Sequence, residues 1–333
     1  MFLFGISGLD GGFDPLILLV FALILEAIFG RFSALTLGTG APVVLVARFV
    51  TWCDRKLNRK GRSSGDRAAR GAIVALLMIL MAGAAGWGFA WLTQNIALFW
   101  LLETLMIVLL LDQRGTYAIV QKTGRALRGG DLPQARKYLG LISREPVERM
   151  DLHHLARTGL EGLAAAIACG VAGPVFWYVL FGLPGLMVFR AVYIMAELVG
   201  HQTDRHKEFG FTAARLNDIL LFIPARLAGL YTVLGSVLVP TAKPSLAAKI
   251  MLRDAGNHHS FNLGWPLGAM AGALNLALAG PQQWNADTTH GAWIGDGTAK
   301  ATTVDISRGL YLVAIACLIN AAWVTALSLV RLV

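Results

Sequence analysis

GAIVALLMILMAGAAGWGFAWLT at residues 71–93, followed one residue later by NIALFWLLETLMIVLLL at 95–111, decides the fold. The hydrocarbon core of a bilayer needs roughly 20 apolar residues of helix, because backbone groups in lipid must find their hydrogen bonds within the segment itself. The first stretch has no charged residue and the second has only Glu103. Together they predict two membrane helices turning near Thr93 to Asn95. Working outward, residues 15–29, 218–239 and 309–332 are further spans. Three stretches are ambiguous: 40–52 is short, 159–199 is interrupted by Pro174 and by Gly-Leu-Pro-Gly at 182–185, and 266–280 supplies only fifteen residues. Segments of that kind suit re-entrant or interfacial helices. The expected fold is all-α: a polytopic membrane helix bundle forming one domain over 1–333, with 112–158 as a cytoplasmic amphipathic helical insertion.

The rest of the composition agrees, with 56% hydrophobic residues against 15% charged and a mean hydropathy of +0.61, outside ordinary soluble usage. The net charge of +9 lies largely in loops beside the spans. Loop 53–70 alone carries Arg55, Lys56, Arg59, Lys60, Arg62, Arg67 and Arg70. Basic short loops face the cytoplasm, and the hairpin returns the chain to the same side for 112–158, which is again basic. Anionic lipid headgroups account for this charge without nucleic acid. The N-terminus has Asp10 and Asp14 and no Lys or Arg before its first apolar run, so the first span reads as retained rather than as a cleaved signal. Cys53, Cys169 and Cys317 lack the spacing of a disulfide framework or zinc site.

No P-loop, dinucleotide fingerprint or nucleophile elbow is present. Glu103 inside an apolar run needs a partner, a proton or a polar cavity, and a structural partner in the bundle is the simpler reading. Polar residues crowd RDAGNHHSFNLGW at 253–265, either a ligand-contacting segment or a solvated loop. A second cluster, Glu197, His201, Asp204, Arg205, His206 and Glu208, follows a helix at the membrane edge and reads equally as a solvated helix end. Arg226 falls within an apolar run, where its guanidinium calls for Asp218 or an anionic ligand.

These stretches resemble the CobD/CbiB family, the integral-membrane adenosylcobinamide-phosphate synthases of cobalamin biosynthesis. From about residue 110 onward the likeness is carried by Ile-Ser-Arg-Glu at 142–145, GVAGPVFW at 170–177, FGLPGLMVFRAVYIMAELVGH at 181–201, FGFTAARLNDILLFIPARL at 209–227, the 253–265 segment, MAGALNLALAGP at 270–281, WIGDG at 293–297 and Asp305-Ile306-Ser307-Arg308. The resemblance implies a multi-pass protein of the bacterial inner membrane. It also implies an ATP- and magnesium-dependent ligase that joins aminopropanol, or its phosphate, to a carboxyl of adenosylcobyric acid. On that basis Glu145, Glu161, Asp218, Asp254 and His258 are the expected catalytic residues. Arg144, Arg190, Arg215, Arg226, Arg253, Asn257 and Asn262 are expected to hold phosphate or corrinoid, and Asp218 and Asp254 to hold magnesium.

The chain departs from the family pattern at Ala165-Ala166-Ile167-Ala168-Cys169-Gly170, where Glu-Asn-x-x-Asp-Gly is usual, and at Ala196, within a run that usually carries an Asp. The alternative is therefore a noncatalytic paralogue acting as a membrane scaffold, sensor or partner subunit, alone or as a homo-oligomer.

Overall fold

The structure, a computed structural model, describes residues 14–30, 42–59, 61–143, 145–284, 287–289 and 291–332, the side chains of 282–289 and of Leu332 excepted. It is predominantly helical. Four helices are long and apolar enough to cross a membrane: Ser64–Asn95, the run Leu152–Val199, Phe211–Ser236 and Thr303–Arg331. Two compact units share the chain. The first comprises Met1–Leu111, Gly173–Leu221 and Val324–Val333; the second comprises Asp112–Ala172 and Phe222–Trp323.

In the first unit, helix α1 (Pro15–Phe29) starts where the Asp14 carboxylate accepts the Leu16 N–H and Pro15 needs no donor partner. Helix α2 (Pro42–Leu57) is amphipathic, burying Val50, Cys53 and Asp54; residues 40 and 41 of the expected 40–52 segment lie outside the described residues. Helix α3 (Ser64–Asn95) is capped by the Ser63 hydroxyl accepting the Asp66 N–H. Its exposed Ile73, Leu76, Leu77, Leu80, Met81, Trp87 and Trp91 form a lipid-compatible face. Helix α4 (Phe99–Leu110) is shorter than the expected 95–111 span. The chain turns at Leu98, whose φ of 66° is left-handed, so twelve residues of helix remain, about 18 Å against about 30 Å of hydrocarbon. Within it Glu103 is buried and accepts a hydrogen bond from the Tyr178 hydroxyl at 3.0 Å.

Helix α8 (Gly173–Val199) bends at Gly182, whose φ of 64° and ψ of −153° leave helical space just before Pro184. There α3 presents Gly86, where any Cβ would lie 2.6 Å from the Pro184 Cα. The core of this unit joins Val50, Val74, Met78, Met195 and Phe209. At one edge the buried Asp54 accepts from Asn58 at 2.8 Å and from Arg205 at 2.6 Å. Opposing its burial, those hydrogen bonds and the cations Arg205 and His206 hold the carboxyl below the usual range.

In the second unit, α5 (Arg114–Arg128) and α6 (Leu132–Leu139) form an amphipathic helical hairpin. The Asp131 carboxylate accepts the Gln134 N–H at 3.0 Å and starts α6. Helix α7 (Leu152–Ala166) passes into a π-helical turn at Ile167–Ala172, which leaves the Gly170 carbonyl to accept the Asp112 N–H at 2.9 Å. The ambiguous 159–199 stretch is thus helical apart from the π-helical turn and the kink at Gly182.

Helix α9 (Phe211–Ser236) contains Pro224. Helix α10 (Pro244–Asp254) packs on α11 (Gly264–Leu274), every residue of which is buried except Trp265, which is half-buried. At Gly272 a Cβ would meet the Ala247 Cα at 2.6 Å. Of the expected 266–280 segment, only residues up to Leu274 are helical, and they are buried within the protein. The helix ends at left-handed Asn275, and two short antiparallel ladders follow: β1 (Leu278–Ala279) with β4 (Trp293–Ile294), and β2 (Gln282–Trp284) with β3 (Asp287–Thr289). Helix α12 (Thr303–Leu332) closes the chain.

Candidate functional site

The densest polar arrangement lies in the second unit, organised by the β1–β4 ladder. In α7, His154, Arg157 and Glu161 recur at spacings of three and four residues, which puts them on one helix face. Glu161 Oε1 accepts the Ala279 N–H at 2.8 Å. Arg157 donates to the Ala299 carbonyl at 2.6 Å and lies 5.4 Å from the Trp293 ring centre. Ala279 and Trp293 are partners in the ladder, so Glu161 and Arg157 address opposite ends of one rung. Glu145 is buried in the turn before α7, its Oε2 3.4 Å from His154 Nε2, and its N–H donates to the Ser143 hydroxyl oxygen at 3.1 Å.

Just beyond β4, Gly295 turns with a φ of +94°, and a Cβ there would lie 2.3 Å from the Leu276 carbonyl oxygen; only glycine fits. This directs its N–H to Asp254 Oδ2 at 2.9 Å. Asp254, 4% exposed, also takes both Arg253 Nε at 2.6 Å and Nη2 at 2.8 Å. The same guanidinium donates to Asp296 at 2.7 and 2.8 Å. Hydrogen bonds donated by Arg253 hold both carboxyls below the usual range, and by accepting them Asp254 and Asp296 raise the arginine. Asp254 is therefore a fixed anion, poorly suited to accept a proton.

Downstream in the same segment, Asn262, 1% exposed, faces Arg226 Nη1 at 3.4 Å. The Arg226 guanidinium carbon lies 3.6, 4.6 and 5.2 Å from the ring centres of Phe222, Trp265 and Phe261. The expected Asp218 partnership gives way to this aromatic cage, since a weakly hydrated planar cation gains from ring faces what water would otherwise supply. Asp218 pairs instead with Arg215 at 3.5 Å, three residues earlier in α9. The His258 ring lies against that of His259, centres 4.0 Å apart and planes tilted by 36°. Burial, with that neighbour, pushes the His258 imidazole down to about 4, so it is neutral at pH 7. Asn257 is exposed in a 3-10 turn at Ala255–Asn257.

The structure thus gathers Glu145, Glu161, Arg253, Asp254, Asn257, His258, Asn262 and Arg226 in the second unit, and places Arg190, Arg215 and Asp218 in the first. Arg190 is buried in α8, 5.5 Å from the Tyr193 ring centre. Arg144 lies outside the described residues. His154, Arg157 and Trp293 were not expected; the signal for the first two was their helical spacing ahead of Glu161.

A resident magnesium ion does not fit these residues. Both Asp254 oxygens are taken by Arg253 and Gly295, Asp218 pairs with Arg215, and among the described residues no three His, Cys, Asp or Glu side chains form a metal-binding group.

Four helices long and apolar enough to cross a membrane, in a predominantly helical chain, define the class: a helical integral membrane protein. The chain belongs to the CobD/CbiB family: the family model described as CobD/Cbib protein matches residues 19–313. Among its relatives, the cobalamin biosynthesis protein CobD of Brucella melitensis is 33% identical over 305 residues, covering 89% of this chain and 92% of that protein. The protein of the same name from Rhodobacter capsulatus is also 33% identical, with coverage of 89% and 91%. That from a Sinorhizobium species is 32% identical over 324 residues, with coverage of 95% and 98%. No solved structure matches.

Proposed function

We propose that this protein serves cobalamin biosynthesis in the bacterial cytoplasmic membrane, with its basic loops in the cytoplasm. Its reaction joins the amine of aminopropanol, or of its phosphate, to a carboxyl of adenosylcobyric acid. Magnesium and ATP enter together as substrate; ATP leaves as ADP and phosphate once the carboxylate oxygen has been carried away. Magnesium bound to nucleotide phosphates needs only one or two protein carboxylates.

The observation that carries this reading is the row of carboxyl groups along the β1–β4 ladder. Glu161 is anchored through Oε1 by the Ala279 N–H, which leaves Oε2 to orient the amine. Glu145 beside His154 forms an acid–imidazole pair suited to removing the ammonium proton. Arg157 and Arg226 are the cations for phosphate or corrinoid carboxyl and amide groups. The test is amide formation by the protein in nanodiscs, supplied with adenosylcobyric acid, MgATP and either amine, with product read by mass. Glu161→Gln is expected to slow it about 100-fold.

The noncatalytic reading is favoured by one observation: the positions that usually carry family acids belong here to the end of α7 and the apolar turn Ile167–Ala172, with Cys169 buried. If well-folded protein makes no product with either amine while a relative with the full motif does, the chain is a scaffold, sensor or partner subunit in the membrane.

A further inference from the structure

We propose that a groove between α5 and the first turns of α12 is a separate binding site for a phosphate group. The groove has a volume of about 230 Å³ and is lined by Tyr117, Gln121, Arg125, Arg128, Ser307 and Tyr311, over a floor of Leu310. Its origin is local. Gly124 lets α5 approach α12 so closely that a Cβ there would lie 2.9 Å from Ile306 Cγ2. The polar side chains one turn to either side of this contact then face each other across a gap instead of packing.

Its donors define the ligand. Neither arginine has a carboxylate partner among the described residues; Arg128 Nε donates to the Gly124 carbonyl of its own helix, at 3.4 Å. No acidic side chain lines the groove. Two guanidiniums, two phenols, a hydroxyl and an amide supply more donors than the two oxygens of a carboxylate can accept, and they match the three or four oxygens of a phosphate. The volume is below that of pockets for drug-sized molecules, so a phosphate group enters with only part of its substituent. The groove lies at the start of α12, a candidate membrane span, so the phosphate can come from a lipid headgroup or from a soluble phosphate ester. None of its residues takes part in the proposed ligation, and the test needs no corrinoid.

The full chain is placed in phosphatidylcholine nanodiscs and titrated calorimetrically with inorganic pyrophosphate. In parallel, chain from mixed phosphatidylglycerol–phosphatidylcholine nanodiscs is examined by native mass spectrometry for retained phosphatidylglycerol. One probe is expected to bind, and its affinity to fall about tenfold in Arg125→Gln/Arg128→Gln. Tyr311→Phe, which removes only a hydroxyl, should weaken it less. Arg149→Gln, an exposed site outside the groove, should leave it unchanged. Pyrophosphate binding assigns a soluble phosphate; phosphatidylglycerol retention assigns a lipid. The proposal is overturned if neither probe responds to the double variant or to Tyr311→Phe.

Discussion

Replacing Asp254 by alanine removes the centre of the seam. Its carboxylate accepts two bonds from Arg253 and one from the Gly295 N–H. After Asp254→Ala, Arg253 keeps Asp296 at 2.7 Å, so the cation is not stranded. The Gly295 N–H, however, is held by a backbone that cannot turn, because the Leu276 carbonyl crowds it. Stranding this part-buried donor costs about 1–3 kcal/mol, which for a chain of this length is a fall of about 1.5–4 °C in apparent Tm. The thiols at Cys53 and Cys169 are buried, so a thiol-reactive fluorogenic dye reports unfolding in detergent. Asp296→Ala is the matched comparison, since that carboxylate is exposed and has no backbone donor to orphan; its Tm should stay near wild type. Equal shifts for the two variants, or none for either, would refute the assignment of Asp254 as the buried anchor of the 295 turn.

Other outcomes are expected from the same geometry. The folded-state pKa of His258, about 4, lies below the value of about 6.5 in an unfolded chain. The unfolded state therefore binds the extra proton, and stability should fall as pH drops from about 6.5 to about 4; His258→Gln should flatten that stretch of a Tm-against-pH curve. Asp254, depressed by Arg253, contributes stability that is present above its unfolded value of about 3.9 and lost below it, so its loss should show only under more acid conditions. Gly295→Ala forces a left-handed alanine against a carbonyl, costing about 2 kcal/mol or more, whereas Gly256→Ala, with open space around it, should melt like wild type. Arg226→Ala should lower corrinoid product formation or binding about tenfold or more, while Lys56→Ala and Arg59→Ala, both at exposed positions, should leave it within about twofold; equal effects would remove Arg226 from the site.

Apolar length made the helical membrane character legible. What sequence did not reveal was decided by backbone dihedrals at single positions. The left-handed Leu98 shortens the second hairpin helix. Periodicity also cannot tell a buried core helix such as Gly264–Leu274 from a membrane-dipping one. In the seam, Arg253 and Asp254 stood out within a crowded polar segment, but their joining to Glu161 depends on a two-residue ladder between residues 278 and 294, and so short a ladder leaves no periodic trace. The Arg226 cage was hidden for a related reason, because its rings come from positions 222, 261 and 265.

The Arg253 clamp has a further consequence. Around the ladder, the carboxyl groups of Glu145, Glu161, Asp254 and Asp296 outnumber the guanidiniums of Arg157 and Arg253 two to one, in a chain whose overall charge is +9. Lys249, whose charge also reaches Asp296, adds a further cation, so the seam carries fixed charges of both signs, and such charges orient the ions that approach them. An ammonium group is drawn to the carboxyls and a phosphate or carboxylate to the guanidiniums, so one seam sets both ends of a zwitterionic encounter, a bias that added salt should weaken.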